Sequence, residues 1–313
     1  MYQPKVSIIV PTYNSVKTLE MCLKSLSEQS YPKHKVELIV VNDGSNDNTS
    51  EVILRLQKDF EFIVLNHESN KGLATARNTG IKKASGNILV FLDPDMKVDD
   101  HYIEKHVNFH QNENVFGVVG CIVYADVIKY DKYQKYLYET NRGAKKYSPK
   151  SSVPFHVFIF GNTSIKKEVI ENVGLFDETI KVYGGEDTEF AYRISKVYPN
   201  GLFYTCALSA KHHHYRTIQQ AFKNLAKFSR INIPYIVRKH HELAGLYGLQ
   251  YLKQRFIRTN FLKMFLGWIV KNRLFFGVMY IFYFLLPFPL SVPFTKAMMA
   301  SVLLRGIHKG LKK

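Results

Sequence analysis

The chain has 313 residues, 46% hydrophobic and 14% aromatic, with a formal net charge of +17. This composition can bury a sizeable core in one large or two smaller domains and excludes a disordered or low-complexity protein. The charge is lopsided: residues 1–206 hold 25 Lys/Arg and 25 Asp/Glu, whereas residues 207–313 hold 18 Lys/Arg and one acid, Glu242, so a polyanionic partner is expected for the last third.

Lys5–Val10 (KVSIIV) predicts a strand closed by Pro11-Thr12-Tyr13-Asn14, and Leu19, Cys22, Leu23 and Leu26 then recur at helical spacing. Val36–Val41 (VELIVV) predicts a second buried strand ending in Asn42-Asp43-Gly44-Ser45. Asp47-Asn48-Thr49 caps a helix through Val52, Ile53 and Leu56. Phe62–Leu65 predicts a third strand, residues 72–83 a turn and helix, and Ile88–Leu92 a fourth strand. Continuous apolar strands alternating with helices predict an α/β fold with a mainly parallel sheet covered on both faces. His106 and His110, four apart on a predicted helix, read as surface residues. The tyrosine-rich stretch 130–152 reads as a surface excursion, or as a lid or acceptor loop. Cys22, Cys121 and Cys206 form no C-x-x-C pair and read as reduced thiols of a cytosolic protein. The run Val6–Val10 is too short for a signal peptide.

Ligands of open α/β sheets bind beyond the carboxyl ends of the strands. The fourth strand ends in Asp93-Pro94-Asp95. Two carboxylates at this spacing suit Mg²⁺ or Mn²⁺, which would neutralise a departing diphosphate; the plainer alternative is a solvated turn. A second acidic pair, Glu186-Asp187, follows Gly184-Gly185 and opens a helical stretch, where acids also complement the helix dipole. No G-x-G-x-x-G or Walker-type phosphate loop is present, so a cation must carry much of any phosphate charge.

The segments VSIIVPTYN, VVNDGSNDNT, NKGLATARNTGI, FLDPDM and GGEDTEFAYRI follow one another in this order. Together they resemble the family 2 glycosyltransferases, which have the nucleotide-diphospho-sugar GT-A fold, over about residues 5–215. The resemblance implies that Pro11, Thr12 and Tyr13 lie along the nucleoside, that Asp43 accepts a hydrogen bond from the base, and that Lys71, Arg77 and Asn78 face the nucleotide. Arg77 would pair with phosphate or with Asp93. Asp93 would lie toward the ribose and metal, with Asp95 the direct metal ligand and His212 completing the metal site; His214 is the alternative. Asp187 matches the catalytic base, with Glu186 capping the helix or positioning the acceptor. Transfer of an acceptor proton to a placed carboxylate is worth about 10²–10⁴-fold. Asn162, in FGNTSIKKEVI, would touch the donor sugar or the acceptor, a turn or cap role being the alternative. The Q-x-x-R-W motif of processive members is missing, since the one tryptophan is Trp268. The implied activity is therefore an inverting, metal-dependent, non-processive transfer from a nucleotide-diphospho-sugar, UDP favoured over GDP.

The expected boundary divides a catalytic domain, residues 1–215, from a basic, apolar helical region, residues 216–313. Residues 274–294 are uncharged but broken by Pro287, Pro289 and Pro293. As a helix, Leu274–Leu286 would rise only about 20 Å, short of the roughly 30 Å hydrocarbon core. Cations flank the segment on both sides, so an interfacial or re-entrant arrangement turning at Pro287-Phe288-Pro289 is expected on the cytoplasmic face of the membrane. Phe261, Leu262, Phe265, Trp268 and Ile269 share one helical face. A buried helical subdomain or an oligomer interface is the alternative. A membrane-linked acceptor, either a lipid-linked glycan or a polyprenyl phosphate, follows from that placement. A nucleotidyltransferase would not need Glu186-Asp187. A nucleic-acid-binding protein would not interleave its cations with long apolar runs.

Overall fold

The computed structural model describes residues 3–125, 130–252 and 260–312. They fall into two compact units, one within residues 1–128, 141–181 and 186–214, the other within 129–140, 182–185 and 215–313. The division after residue 214 lies beside the expected boundary, but segments 129–140 and 182–185 group with the C-terminal unit, which no local pattern had signalled.

The first unit begins with β1 (Val6–Thr12), α1 (Leu19–Ser27), β2 (Val36–Asn42), α2 (Thr49–Leu56), β3 (Ile63–Asn66), α3 (Leu73–Lys83), β4 (Ile88–Leu92), β5 (Met96–Val98), α4 (Tyr102–Phe109) and β6 (Gly117–Tyr124). After α5 (Lys132–Tyr138), which belongs to the second unit, come β7 (Ser151–Ser152), β8 (Asn162–Lys166), α6 (Lys167–Val173), α7 (Glu186–Val197) and β9 (Leu202–His212). Stretch 130–152 is thus no simple surface excursion, because Tyr133, Gln134 and Tyr136 of α5 are buried.

The described strands form one sheet in the order β3-β2-β1-β4-β8-β6-β9-β5, with β7 paired to β9. β3, β2, β1 and β4 run parallel. β8 then enters antiparallel between β4 and β6, and β5 and β7 pair antiparallel with β9. The sheet is therefore mixed where a mainly parallel one was expected: β8 (NTSIK) lacks the continuous apolar run by which buried parallel strands are recognised. Strand alternation builds a core on each face. Val6, Ile8, Val10, Leu38, Val40, Ile88 and Val90 pack with Leu19, Leu23, Ile53 and Ile103. Ile9, Ile39, Val41, Leu89 and Phe91 pack on the other side with Ala76, Ile81, Val169, Phe190 and Ile194.

The second unit contains α8 (Ile218–Lys239), α9 (Phe261–Lys271), α10 (Arg273–Leu285) and α11 (Val292–Gly310). Thr217 and Gln220 form a reciprocal capping box that starts α8. Asn272 ends α9, and its side chain accepts the Leu274 N–H (2.8 Å) to start α10; the two helices bend by 65°. Among the described residues no single helix is long and apolar enough to cross a membrane. The alternative of a buried helical subdomain does not describe α9 and α10: Gly267 is the one buried residue of α9 and α10 has none. Phe261 is 83% exposed, Leu274 75% and Phe284 72%.

Candidate active site

Because β1, β2 and β4 are parallel, their carboxyl ends, and the polar segments that follow, lie along one edge of the first unit's sheet. Pro11 and Thr12 end β1 and are buried; the Thr12 hydroxyl has no hydrogen-bond partner among the described residues. Tyr13 and Lys71 are exposed.

Asp43 is engaged by the loop that leads into α3. It is 3% exposed. Its Oδ1 accepts the Lys71 N–H (2.9 Å) and pairs with His67 Nδ1 (2.6 Å), and its Oδ2 accepts the Gly72 N–H (2.9 Å). His67 Nε2 in turn meets Thr79 Oγ1 (3.0 Å). Asp43 therefore latches the loop leading into α3, and with three contacts on four lone-pair sites its Oδ2 can accept one further donor. Asn78, likewise buried, bonds the backbone of Phe176 and the Glu178 carboxylate instead of facing a nucleotide.

After β4 the chain turns through Asp93 and Asp95. The Asp93 N–H donates to Gly161 O (3.0 Å), and the Asp95 carbonyl accepts the His213 N–H (2.8 Å). In the antiparallel β5–β9 ladder His212 lies opposite Met96, which brings its Nε2 within 3.1 Å of Asp95 Oδ2. The other carboxylate oxygen, Asp95 Oδ1, is buried with no hydrogen-bond partner among the described residues. Burial opposes ionisation of Asp95, but the hydrogen bond from His212 and the nearby His212 and His214 imidazoles hold it below its usual range. Asp93 is pushed up to about 6: burial raises it, the Arg77 guanidinium opposes, and Asp95 and Asp187 add to the rise. Two carboxylates and an imidazole, one oxygen orphaned, are a donor set that fits a hard divalent ion. Among the described residues no group of three or more such side chains is spaced to hold a metal alone, so a bound ion would take further ligands from substrate or water.

Arg77 joins the two acidic pairs. Its side chain is 1% exposed. Nη1 donates to Asp187 Oδ1 at 2.5 Å and lies 4.0 Å from Glu186 Oε1; Nη2 donates to Phe160 O at 3.2 Å and lies 3.6 Å from Asp93 Oδ1. The rings of Phe160 and Phe176 flank the guanidinium at 5.9 and 5.4 Å. Burial disfavours its charge, but Asp187, Asp93 and Glu186 outweigh that and raise its pKa. Of the two partners expected for Arg77, phosphate or Asp93, the structure shows Asp93, with Asp187 and Glu186 beside it in the wall of the crevice.

Gly184 (φ 106°) and Gly185 (φ 97°) hold backbone conformations that L side chains rarely adopt, and they deliver the chain to the first turn of α7. The Asp187 side chain is 18% exposed there; its Oδ1 is held by Arg77 and its Oδ2 by the Phe160 N–H (3.0 Å). Two oxygens with four lone-pair sites leave it able to accept a further proton donor. Glu186 is 4% exposed and lies 4.0 Å from Arg77 Nη1.

Asn162 fills the structural alternative expected for it. It is fully buried, its Oδ1 accepts from Tyr102 OH (2.8 Å), and its Nδ2 donates to Cys121 O and Leu208 O (both 3.0 Å). Those two carbonyls flank a break in the β6–β9 ladder, where pairing jumps from Gly120–Thr205 to Cys121–Ser209. Asn162 satisfies groups that the irregular ladder leaves open, the structural role that was the alternative to a substrate contact. His106 and His110, read as surface residues, are buried at 0% and 2% exposure, with one ring nitrogen of each 2.8 Å from Ser164 Oγ. Sequence reading passed over Phe160, whose backbone holds both Arg77 and Asp187, and Gly161, where a Cβ would meet Asp93 Oδ2 at 2.7 Å. The phenylalanine-glycine pair just before a strand was the available signal.

A mixed α/β sheet with acids gathered at its strand ends defines the class: a GT-A-like transferase fold with C-terminal helices. Residues 7–174 match the family model Glycosyl transferase family 2, and the chain belongs to that family. Glycosyltransferase AglE of Haloferax volcanii is 32% identical over 184 residues, 58% of this chain and 59% of the relative, so the chain spans about three-fifths of that relative's length. The mannosyltransferase PcManGT from Pyrobaculum calidifontis, solved in complex with GDP-Man and Mn²⁺, matches with a TM-score of 0.62 at 20% identity over 100% of this chain and 89% of that one. S. aureus TarS 1-349 in complex with UDP matches with a TM-score of 0.55 at 17% identity over 96% and 89%. At such identities the structural likeness is one of fold.

Proposed function

We propose that the chain transfers a sugar from a nucleotide-diphospho-sugar, UDP favoured, to a hydroxyl or phosphate of a membrane-linked acceptor, with inversion and without processivity. The observation that carries this reading is the convergence of Asp93, Glu186 and Asp187 on Arg77, beside Asp95 and His212. In the reaction the acceptor oxygen attacks the anomeric carbon, the bond from that carbon to the diphosphate breaks, and the acceptor proton passes to Asp187. Arg77 and the Phe160 N–H hold Asp187 in place for that proton. Pro11, Thr12, Tyr13 and Lys71 line the nucleoside side. Asp95, Asp93 and His212 are the residues that would hold Mg²⁺ or Mn²⁺, whose charge would screen the diphosphate.

The membrane reading rests on the exposed aromatic and aliphatic side chains of α9 and α10 and the cations around them. It places the protein on the cytoplasmic face, with both basic flanks on one side of the bilayer. Two experiments test these readings. A screen of nucleotide-sugars with Mn²⁺ is expected to release nucleoside diphosphate with one donor, with Asp187→Asn cutting turnover at least about a hundredfold while leaving donor-induced thermal stabilisation intact. Full turnover of that variant removes Asp187 as base. Flotation with anionic vesicles tests the membrane; a chain that stays at the bottom of the gradient refutes it.

A further inference from the structure

The second unit carries an open groove of about 1480 Å³ walled by one face of α8, the α9–α10 junction and the last turns of α11. Lys227 and Arg230 reach it from α8, Lys271 and Arg273 from the junction, and Arg305 and Lys309 from α11, and no aspartate or glutamate lines it. Helix-end electrostatics explain two of these cations, since Lys271 and Lys309 lie in last turns. They do not explain Arg273, which opens α10 at the positive end of its dipole, nor the mid-helix residues Lys227, Arg230 and Arg305. Burial and the neighbouring Lys312 hold the Lys271 amine below its usual range, and burial and Arg273 do the same to Arg305.

Beside the cations the wall is apolar: Phe222, Trp268, Phe276 and Val302. Trp268 is itself 62% exposed, and the adjoining helices carry the exposed Phe265 and Leu274. A groove lined by exposed and half-buried cations and by the buried or half-buried Val302, Phe222 and Phe276 complements one molecule carrying a phosphate group on a hydrocarbon chain. Its volume exceeds the roughly 300–1,000 Å³ usual for small-molecule sites.

We propose that this groove binds the phosphate or diphosphate head of a lipid-linked substrate, with Arg230, Arg305 and Lys309 on the phosphate oxygens and Trp268 and Phe276 against the first part of the chain. This deepens the reading of the acceptor as membrane-linked and rests on it. Charged hydrogen bonds from guanidinium groups supply the affinity for the head. The hydrocarbon chain accounts for the aromatic margin.

Trp268 is the one tryptophan in the sequence, so its emission reports binding at this end of α9. The full-length protein is titrated with geranylgeranyl diphosphate below its micellar range. A saturable change in Trp268 emission is expected, with binding at least about tenfold weaker for inorganic pyrophosphate and for geranylgeraniol. Arg230→Gln and Lys309→Gln, both at exposed positions, are each expected to weaken binding at least about tenfold with unchanged melting temperature. Equal binding of the alcohol, equal binding by both variants, or displacement by an unstructured oligonucleotide at lower concentration overturns the proposal. Donor stabilisation by nucleotide-sugar and Mn²⁺, measured on the same preparations, separates this failure from failure of the transferase reading.

Discussion

Replacing Arg77 by methionine keeps most of the side chain's bulk and removes the single buried cation that three acids share. Asp187 at 2.5 Å, Asp93 at 3.6 Å and Glu186 at 4.0 Å then face one another without a counter-charge. Removing one partner of a buried pair costs about 3–5 kcal/mol, because the other charge stays buried and unpaired. In a unit of about two hundred residues, each kcal/mol moves the melting temperature by about 2–4 °C, so a fall of about 10 °C is expected at pH 7.5. The loss must also depend on pH. Asp93 already sits at about 6 with Arg77 present, above an ordinary carboxylate. Without the arginine the native acids prefer their protonated form more strongly still. The native state then binds protons that the unfolded state does not, and stability rises as pH falls from 7.5 toward 5. The gap to wild type should narrow over that window. Adding Asp187→Asn should recover part of the loss at pH 7.5, since it removes one unpaired charge. Calorimetric melting at several pH values checks all three expectations. A variant melting within about 2 °C of wild type at pH 7.5, or a deficit constant with pH, refutes the idea that Arg77 holds the acids together.

Asn162→Ala strands the carbonyls of Cys121 and Leu208 and the hydroxyl of Tyr102, so a loss of about 3–5 kcal/mol is expected by denaturant unfolding; a residue serving only substrate would cost far less. Gly161→Ala places a methyl group 2.7 Å from Asp93 Oδ2 and must displace that carboxylate, so turnover should fall about ten- to a hundredfold while melting shifts little, as kinetics and calorimetry on one preparation will show. Burial lowers His110 to about 4 and pushes His106 down as well. Between pH 6.5 and 4 the unfolded chain takes up protons that the native state refuses, so stability should fall through that window, by about 3 kcal/mol for His110 alone. His110→Gln should flatten the measured pH dependence by about one proton.

What the sequence displays depends on the distance over which each residue works. β4 appears as predicted, Ile88–Leu92, because a buried parallel strand is a local apolar run. The acids Asp93, Asp95 and Asp187 are legible because they stand at element boundaries where polar residues have few structural reasons to be. Asp43 and Asn162 look equally functional in sequence, yet they serve backbone groups 28 and 46 residues away. His106 and His110 share the core-facing side of α4, and Ser164, which makes their burial tolerable, lies on β8, a strand with no apolar signature. The placement of α5 with the C-terminal helices was illegible for the same reason: Asp131, at its N-cap, is met by Tyr215 OH at 2.6 Å, a partner 84 residues on.

The acids of the crevice outnumber their cation. Asp93, Glu186 and Asp187 flank one arginine, and Asp95 stands beside His212, which adds positive charge only when protonated. A bare nucleoside diphosphate arriving there brings anionic oxygens to an already anionic mouth. If the proposed donor site is right, the ligand-free crevice is self-guarding: it disfavours uncomplexed phosphates, and occupancy should track the supply of divalent counter-ions more steeply than the supply of sugar nucleotide.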